Sequence, residues 1–214
     1  MFAVEKITVG GVLSEGFAVG LKNAPSLVLA SILWMLTIWI PYLNVGTTIA
    51  MCSVPVELSK GKIISPAFIF DSKYRRYMGE FFTLLGLMMM SLTPAFLFMF
   101  IPGYIIALGW SLAIYMLLDK GLSPSEALVQ SNNATYGYKM TIFLVNLIIG
   151  FAFFILFYVF ALIPFLGILL ILALMICYMP ISLGCSAIIY RNLVNGVPNS
   201  NNEPVQPITG NTIV

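Results

Sequence analysis

MTIFLVNLIIGFAFFILFYVFALIPFLGILLILALMICYMPISLGCSAIIY, residues 140–190, runs for 51 residues without one Asp, Glu, Lys or Arg. A ~30 Å hydrocarbon layer takes roughly 20 helical residues to cross, so the stretch holds two crossings, and Pro164 near its middle marks their turn. Two other stretches have the same form: 23–56, 34 residues broken at Pro41, and 81–118, 38 residues broken at Pro102. The expected fold is all-α, a polytopic transmembrane helical bundle of about six transmembrane helices in three hairpins (23–56, 81–118 and 140–190) with short cytoplasmic amphipathic helices. The integral membrane domain is expected over 1–195. Residues 196–214, rich in Asn, Pro, Thr and Ser, have too few large apolar side chains to offset ordering and read as a polar flexible tail.

Sixty per cent of the 214 residues are hydrophobic and 8% are charged, against about 25% charged in a soluble domain. A soluble chain of this length could not bury so much apolar surface. The net charge is +2, with ten basic residues spread over four segments, which gives no basic face for nucleic acid. Cys52, Cys177 and Cys185 stand singly in apolar sequence, and the chain has no histidine; they read as buried free thiols. No cofactor or metal site is expected. Glu5, Lys6 and Glu15 interrupt the amino terminus, so it does not read as a secretory signal, and the first crossing is expected to be retained.

The charged segments are 1–22, 57–80, 119–139 and 191 onward. Three hairpins put all four on one side, opposite turns at Ile40-Pro41-Tyr42, Ile101-Pro102-Gly103 and Ile163-Pro164-Phe165. Lys and Arg mark the cytoplasmic side, so both termini are expected inside. Trp39, Tyr42 and Tyr104 fit an aromatic belt at the outer face. The weakest crossing is the second, because residues 44–58 give only ~22 Å of helix at 1.5 Å per residue. Five crossings plus a re-entrant segment is the alternative.

Two charged segments open with the same helix signal. Ser123-Pro124-Ser125-Glu126 supplies an N-cap serine, proline at the first helical position and glutamate where a capping box needs it. Ala127, Leu128, Ser131, Thr135 and Tyr138 then fall on one helical face. After Ser65-Pro66, the stripe Ala67, Phe70, Tyr74, Tyr77 and Phe81 predicts a second amphipathic helix, with Asp71 and Arg75 paired at i,i+4. Ser65-Pro66 precedes Gly79 by the spacing at which Ser123-Pro124 precedes Gly137, as a repeat of interfacial helix plus hairpin would.

Ile101-Pro102-Gly103-Tyr104, then Ser111, Tyr115, Asp119, the run Leu122 to Ser131 around Glu126-Ala127, Gly137-Tyr138-Lys139 and the closing Tyr190-Arg191 form an ordered set. Over roughly 95–195 the chain resembles bacterial polytopic membrane proteins related to the membrane domain of glycerophosphoryl diester phosphodiesterases, a group largely without assigned function. The resemblance implies a multi-helix module of the bacterial plasma (inner) membrane with cytoplasmic connectors. It implies no reaction, since phosphodiesterase activity in such relatives belongs to a separate soluble domain.

The long apolar stretches hold no ionisable acid or base of the kind that marks proton relays and ion-coupled carriers. Asn146 is the one amide well inside a crossing, and Ser91 and Thr93 precede Pro94, so these three are the candidate intramembrane polar contacts, for helix packing, a kink or a substrate notch. Pro55 and Pro180 admit the same readings. Gly16-x-x-x-Gly20 and Gly109-x-x-x-Ala113 suit close helix packing or pairing with a second copy. Met88-Met89-Met90 reads as lipid-facing or adaptable packing. Lys60, Lys62, Lys73, Arg75 and Arg76 are the candidate contacts for lipid headgroups or an acidic partner, each gaining about 1 kcal/mol beside anionic lipid. No Ser-His pair, paired Asp or zinc-ligand set supplies an activated nucleophile. The expected role is a non-catalytic membrane protein, a membrane-organising module that binds lipids and a membrane or cytoplasmic protein partner. The alternative is a passive or facilitated transporter of a small apolar or lipidic molecule.

Overall fold

The computed structural model describes residues 7–163 and 166–195. Pro164 and Phe165, at the expected third turn, and the tail from 196 lie outside the described residues. Among those described, every regular element is helical. Five stretches are long and apolar enough to cross a membrane: Val9–Thr37, Ser72–Phe98, Phe100–Lys120, Lys139–Ala161 and Leu166–Asn195.

Helix α1, Val9–Thr37, starts where the Thr8 hydroxyl accepts the Gly11 N–H at 3.2 Å. At 29 residues it is ~43 Å long, so the segment expected to precede the first crossing belongs to the same helix. It stops ahead of Pro41, which takes the first position of α2, Pro41–Ser59, where a missing N–H costs nothing. Helix α2 ends in a Schellman turn: Gly61, at φ +71°, gives its N–H to Leu58 and lets the Lys62 N–H reach the Glu57 carbonyl. The helix therefore measures ~28 Å rather than the 22 Å read from 44–58. It is not among the five apolar stretches, so the expected sixth crossing has no counterpart there, and much of its surface is covered by protein. Gly46, Thr47, Ile49, Ala50, Ser53, Val54 and Leu58 are among its buried residues, and a helix walled by protein can keep hydroxyls that hydrocarbon would penalise.

The amphipathic helix expected after Ser65-Pro66 is instead two 3₁₀ turns, Pro66–Phe70 and Ser72–Tyr77. Asp71 causes the break: its side chain accepts the Lys73 N–H at 3.0 Å, a local turn that competes with helix continuation. Asp71 consequently pairs with Lys73 at 3.4 Å, not with Arg75, and Ile69 and Tyr74 are the residues buried. The matched segment behaves as read: α6, Pro124–Ala134, carries the full Ser123–Glu126 capping box, and Ala127, Leu128, Ser131 and Thr135 are all buried. Equal spacing in the two segments thus yields unequal structures.

Helix α3, Met78–Phe98, turns at a single extended residue, Met99, into α4, Phe100–Gly109. The turn therefore lies two to four residues before the expected Ile101-Pro102-Gly103, since proline fits the first turn of a helix as well as the loop before it. Gly103 lets α4 fold back on α3, because a Cβ there would stand 3.0 Å from the Phe96 nitrogen. After α5, Ala113–Lys120, come α6, then α7, Lys139–Ala161, and α8, Leu166–Tyr190, with a closing π turn over Arg191–Asn195. Pro25, Pro55, Pro94 and Pro180 all sit inside continuous helices.

The most extensive helix pairing joins the first helix to the last. A Cβ on Gly16 would lie 2.7 Å from the Cys185 Cα, and one on Gly184 would meet the Gly16 carbonyl and the Gly20 nitrogen. The small-residue stripe of α1 is therefore consumed within the chain, not offered to a second copy. Of the cysteines only Cys185 is buried; Cys52 is half-buried and Cys177 is exposed on α8.

Candidate functional site

The four charged segments meet. Lys60, just past α2, pairs with Asp119 at the end of α5, and the Tyr190 hydroxyl donates to the other Asp119 oxygen at 2.8 Å. One residue on, Arg191 pairs with Glu15 of α1. Two polar contacts, linked only through the consecutive residues Tyr190 and Arg191, thus form a knot that ties α1 and the charge-bearing ends of α2, α5 and α8, with Tyr115 packing edge-on against the Tyr190 ring at 5.9 Å.

The stretch Phe100–Lys120 is not one helix. It opens at Trp110-Ser111-Leu112, between α4 and α5, and α6 fills the gap. Ser131 Oγ donates to the Gly109 carbonyl at 2.7 Å and accepts the Leu112 N–H at 3.2 Å. Thr135, whose hydroxyl donates to the Ser131 carbonyl at 2.9 Å, stands 3.2 Å from the same Gly109 oxygen. Lys139 gives its ammonium to Asn132 Oδ1 at 2.8 Å, beside Gly109, where a cation complements the negative end of the α4 dipole. Gly109 leaves room for both side chains, since a Cβ there would press on the Asn132 amide and stand 3.0 Å from Lys139 Nζ. At the other end of α6, hydrogen bonds from Ser123 hold the Glu126 carboxyl below its usual pKa.

Next to this break lies a cavity of about 290 Å³ between α1, α2, α5 and α8, walled by Trp34, Thr48, Met51, Cys52, Pro55, Ser111, Ile114, Tyr115, Met179 and Leu183. Two of its wall groups bond each other, Trp34 Nε1 donating to Thr48 Oγ1 at 2.9 Å, and Ser111 Oγ donates to the Leu108 carbonyl of its own turn at 2.8 Å. What remains in the wall is hydrocarbon, sulfur and ring, with the Tyr115 hydroxyl. A shallower groove of about 370 Å³ runs along α4 and α7, where Asn146 stands among Tyr104, Phe143, Leu147, Gly150, Phe151 and Phe154. Tyr104 is drawn into that groove, its ring 5.7 Å from Phe143, whereas Trp39 and Tyr42 are exposed. No protein family, curated protein or solved structure matches this chain. The site is accordingly read from its own chemistry.

The residues singled out from the sequence are dispersed. Ser91 and Thr93 lie on the exposed surface of α3, and neither lines the groove that holds Asn146. Lys60 and Lys62 are held by Asp119 and Glu57, Lys73 by Asp71 with its ammonium 4.8 Å above the Tyr74 ring. Arg75 lies over Tyr42 at 6.0 Å, its Cγ so near Gly46 that a Cβ there would come within 2.8 Å. Arg76 is exposed. Among the described residues no group of three His, Cys, Asp or Glu side chains is placed to hold a metal ion. Sequence reasoning missed the gap at 110–112, having looked for breaks at prolines. The available signal was Gly109 before Trp110-Ser111, together with two hydroxyls, Ser131 and Thr135, on an otherwise apolar helical face.

Proposed function

We propose that the chain is a non-catalytic integral membrane protein of the bacterial inner membrane, a lipid-binding, membrane-organising module with six crossings, α2 included, and both termini cytoplasmic. The observation that carries this reading is the knot joining Glu15, Lys60, Asp119, Tyr190 and Arg191. It draws one residue from each of the four charged segments, as three hairpins gathering those segments on one face would; the 57–80 segment does not keep wholly to that face, because Arg75 reaches Tyr42 beside the expected outer turn at Pro41. Around it the outer surfaces of α3, α7 and α8 are apolar, with Met89, Met90, Phe98, Phe151, Phe154, Leu169 and Leu172 exposed, as surfaces meeting acyl chains should be. The motifs that resemble phosphodiesterase membrane domains fall on α4, α5, α6 and the start of α7, the unit built around the open stretch at 110–112. Lys73 and Arg76 remain the basic side chains best placed to meet headgroups or an acidic partner.

Purification in gentle detergent, followed by mass spectrometry of co-purifying lipids and proteins, tests the proposal. Retained lipid or a stoichiometric protein partner supports it, and loss of both on mild delipidation without loss of fold sinks it. A second reading, facilitated passage of a small apolar or lipidic molecule, is favoured by one feature: Ser111 belongs both to the break in Phe100–Lys120 and to the cavity wall. Interrupted crossings can line transport sites. Transfer across vesicles by the purified chain alone, faster than in empty controls, would select that reading.

A further inference from the structure

The cavity between α1, α2, α5 and α8 has the wrong chemistry for water or a polar solute. Its indole N–H and the Thr48 and Ser111 hydroxyls are already bonded to protein partners, so an entering polar molecule would lose hydration and gain hydrogen bonds at most from the Tyr115 hydroxyl. Its remaining wall, from Met51, Pro55, Ile114, Met179 and Leu183, offers dispersion contacts and sulfur atoms that adapt to an irregular guest. Volume sets the guest's size: at the ~30 Å³ that a water takes in the liquid, close to the size of a methylene, the space holds about ten chain carbons. Ser111 supplies the direction of entry, because it is exposed while the residues behind it, Met51 and Pro55, are buried. The opening lies along Phe100–Lys120, one of the stretches apolar enough to cross a membrane, so it faces the hydrocarbon layer in the proposed arrangement.

We infer that this cavity binds one unbranched aliphatic chain, entering laterally beside Ser111 and lying against the Trp34 ring. The inference rests on the lipid-binding reading and names its site. The chain has two sources, an acyl chain of a bilayer phospholipid or a free long-chain fatty acid.

Trp34 reports on it directly. In a variant with Trp39→Phe and Trp110→Phe, Trp34 is the sole indole, and bromine on a neighbouring chain quenches its fluorescence. Nanodiscs of phospholipid brominated along one acyl chain should quench Trp34. Filling the cavity with Cys52→Phe, or with Leu183→Phe from the opposite wall if the first variant does not fold, should abolish that quenching. A parallel variant keeping only the exposed Trp39 gives the level produced by surrounding lipid. In unbrominated nanodiscs, quenching by added brominated fatty acid identifies the free acid as guest; quenching only by brominated phospholipid identifies the bilayer chain. Quenching of Trp34 that survives in a folded, filled variant, or no quenching from either source, overturns the inference. Mass spectrometry of the same variants purified in gentle detergent separates the two claims: lipid retained without Trp34 quenching removes the site and leaves the module, whereas retention of neither lipid nor a protein partner removes both.

Discussion

Gly184 and Gly86 are both helical glycines inside long apolar helices, and they should respond to alanine in opposite ways. Around Gly86 nothing lies within 4 Å of an added Cβ, so Gly86→Ala should raise thermal stability by up to ~1 kcal/mol through helix propensity alone. At Gly184 the methyl would strike the Gly16 carbonyl and the Gly20 backbone. Gly184→Ala should cost about 1–3 kcal/mol, as overpacking does. Thermal melting of both variants in the same detergent checks the pair, and equal responses would contradict the close α1–α8 contact. Ser131→Ala makes a different kind of loss. It leaves the Leu112 N–H without the bond that Ser131 supplies and should cost ~1–3 kcal/mol. Ser91→Ala, on the exposed face of α3, should change little by the same assay.

Among the elements, α6 shows how local signals and tertiary contacts divide the information. Its start was legible to the residue, because a capping box is a relation among neighbours: Ser123 N–H to Glu126 Oε2 at 3.1 Å, and Glu126 N–H to Ser123 Oγ. Its buried face was legible too, from helical spacing. Its purpose was not, since the gap that Ser131 closes lies about twenty residues away in sequence. The same limit applies to α2, read as short because its start at Pro41 and its end at Ser59 lie outside 44–58. Ser123→Ala should loosen α6 by ~1 kcal/mol. The capping box also has a pH signature. Hydrogen bonds hold the folded Glu126 pKa below its reference of 4.5, so its contribution is complete above the unfolded pKa and is lost as pH falls through the lower folded value. The stability gap between wild type and Glu126→Ala should therefore be constant near neutrality and close below about pH 4.5; a gap independent of pH down to acid unfolding would rule the carboxylate out.

For the whole molecule, the proposed six-crossing arrangement makes a demand on access. In a variant lacking native cysteines, Trp39→Cys and Ile101→Cys should react with an impermeant maleimide from outside the cell, and Lys62→Cys, at the other end of α2, only after the membrane is opened. Reaction of position 39 from the cytoplasmic side alone would eliminate the arrangement. Cutting the knot tests its mechanical role: Asp119→Asn releases Lys60 and weakens the Tyr190 contact, and it should lower the melting temperature more than Asp71→Asn, whose pair with Lys73 is exposed on both sides. The three hydrophobic stretches could be read from composition because a bilayer imposes the same requirement on every residue facing it. Closure of the bundle could not be, since the pairing of α1 with α8 leaves no trace in sequence beyond three glycines, and glycines have many uses.

That closure also has a history in time. A ribosome adding about 5–20 residues per second completes α1 on the order of 10 s before α8 emerges. During that interval the first helix has no partner for its glycine face, and only the last segment made can cover it. Every copy of this protein therefore passes through a stage in which α1 is complete and its glycine face is still uncovered. A premature stop anywhere before Gly184 would leave that stage permanent, exposing to membrane quality control a surface that the finished chain hides.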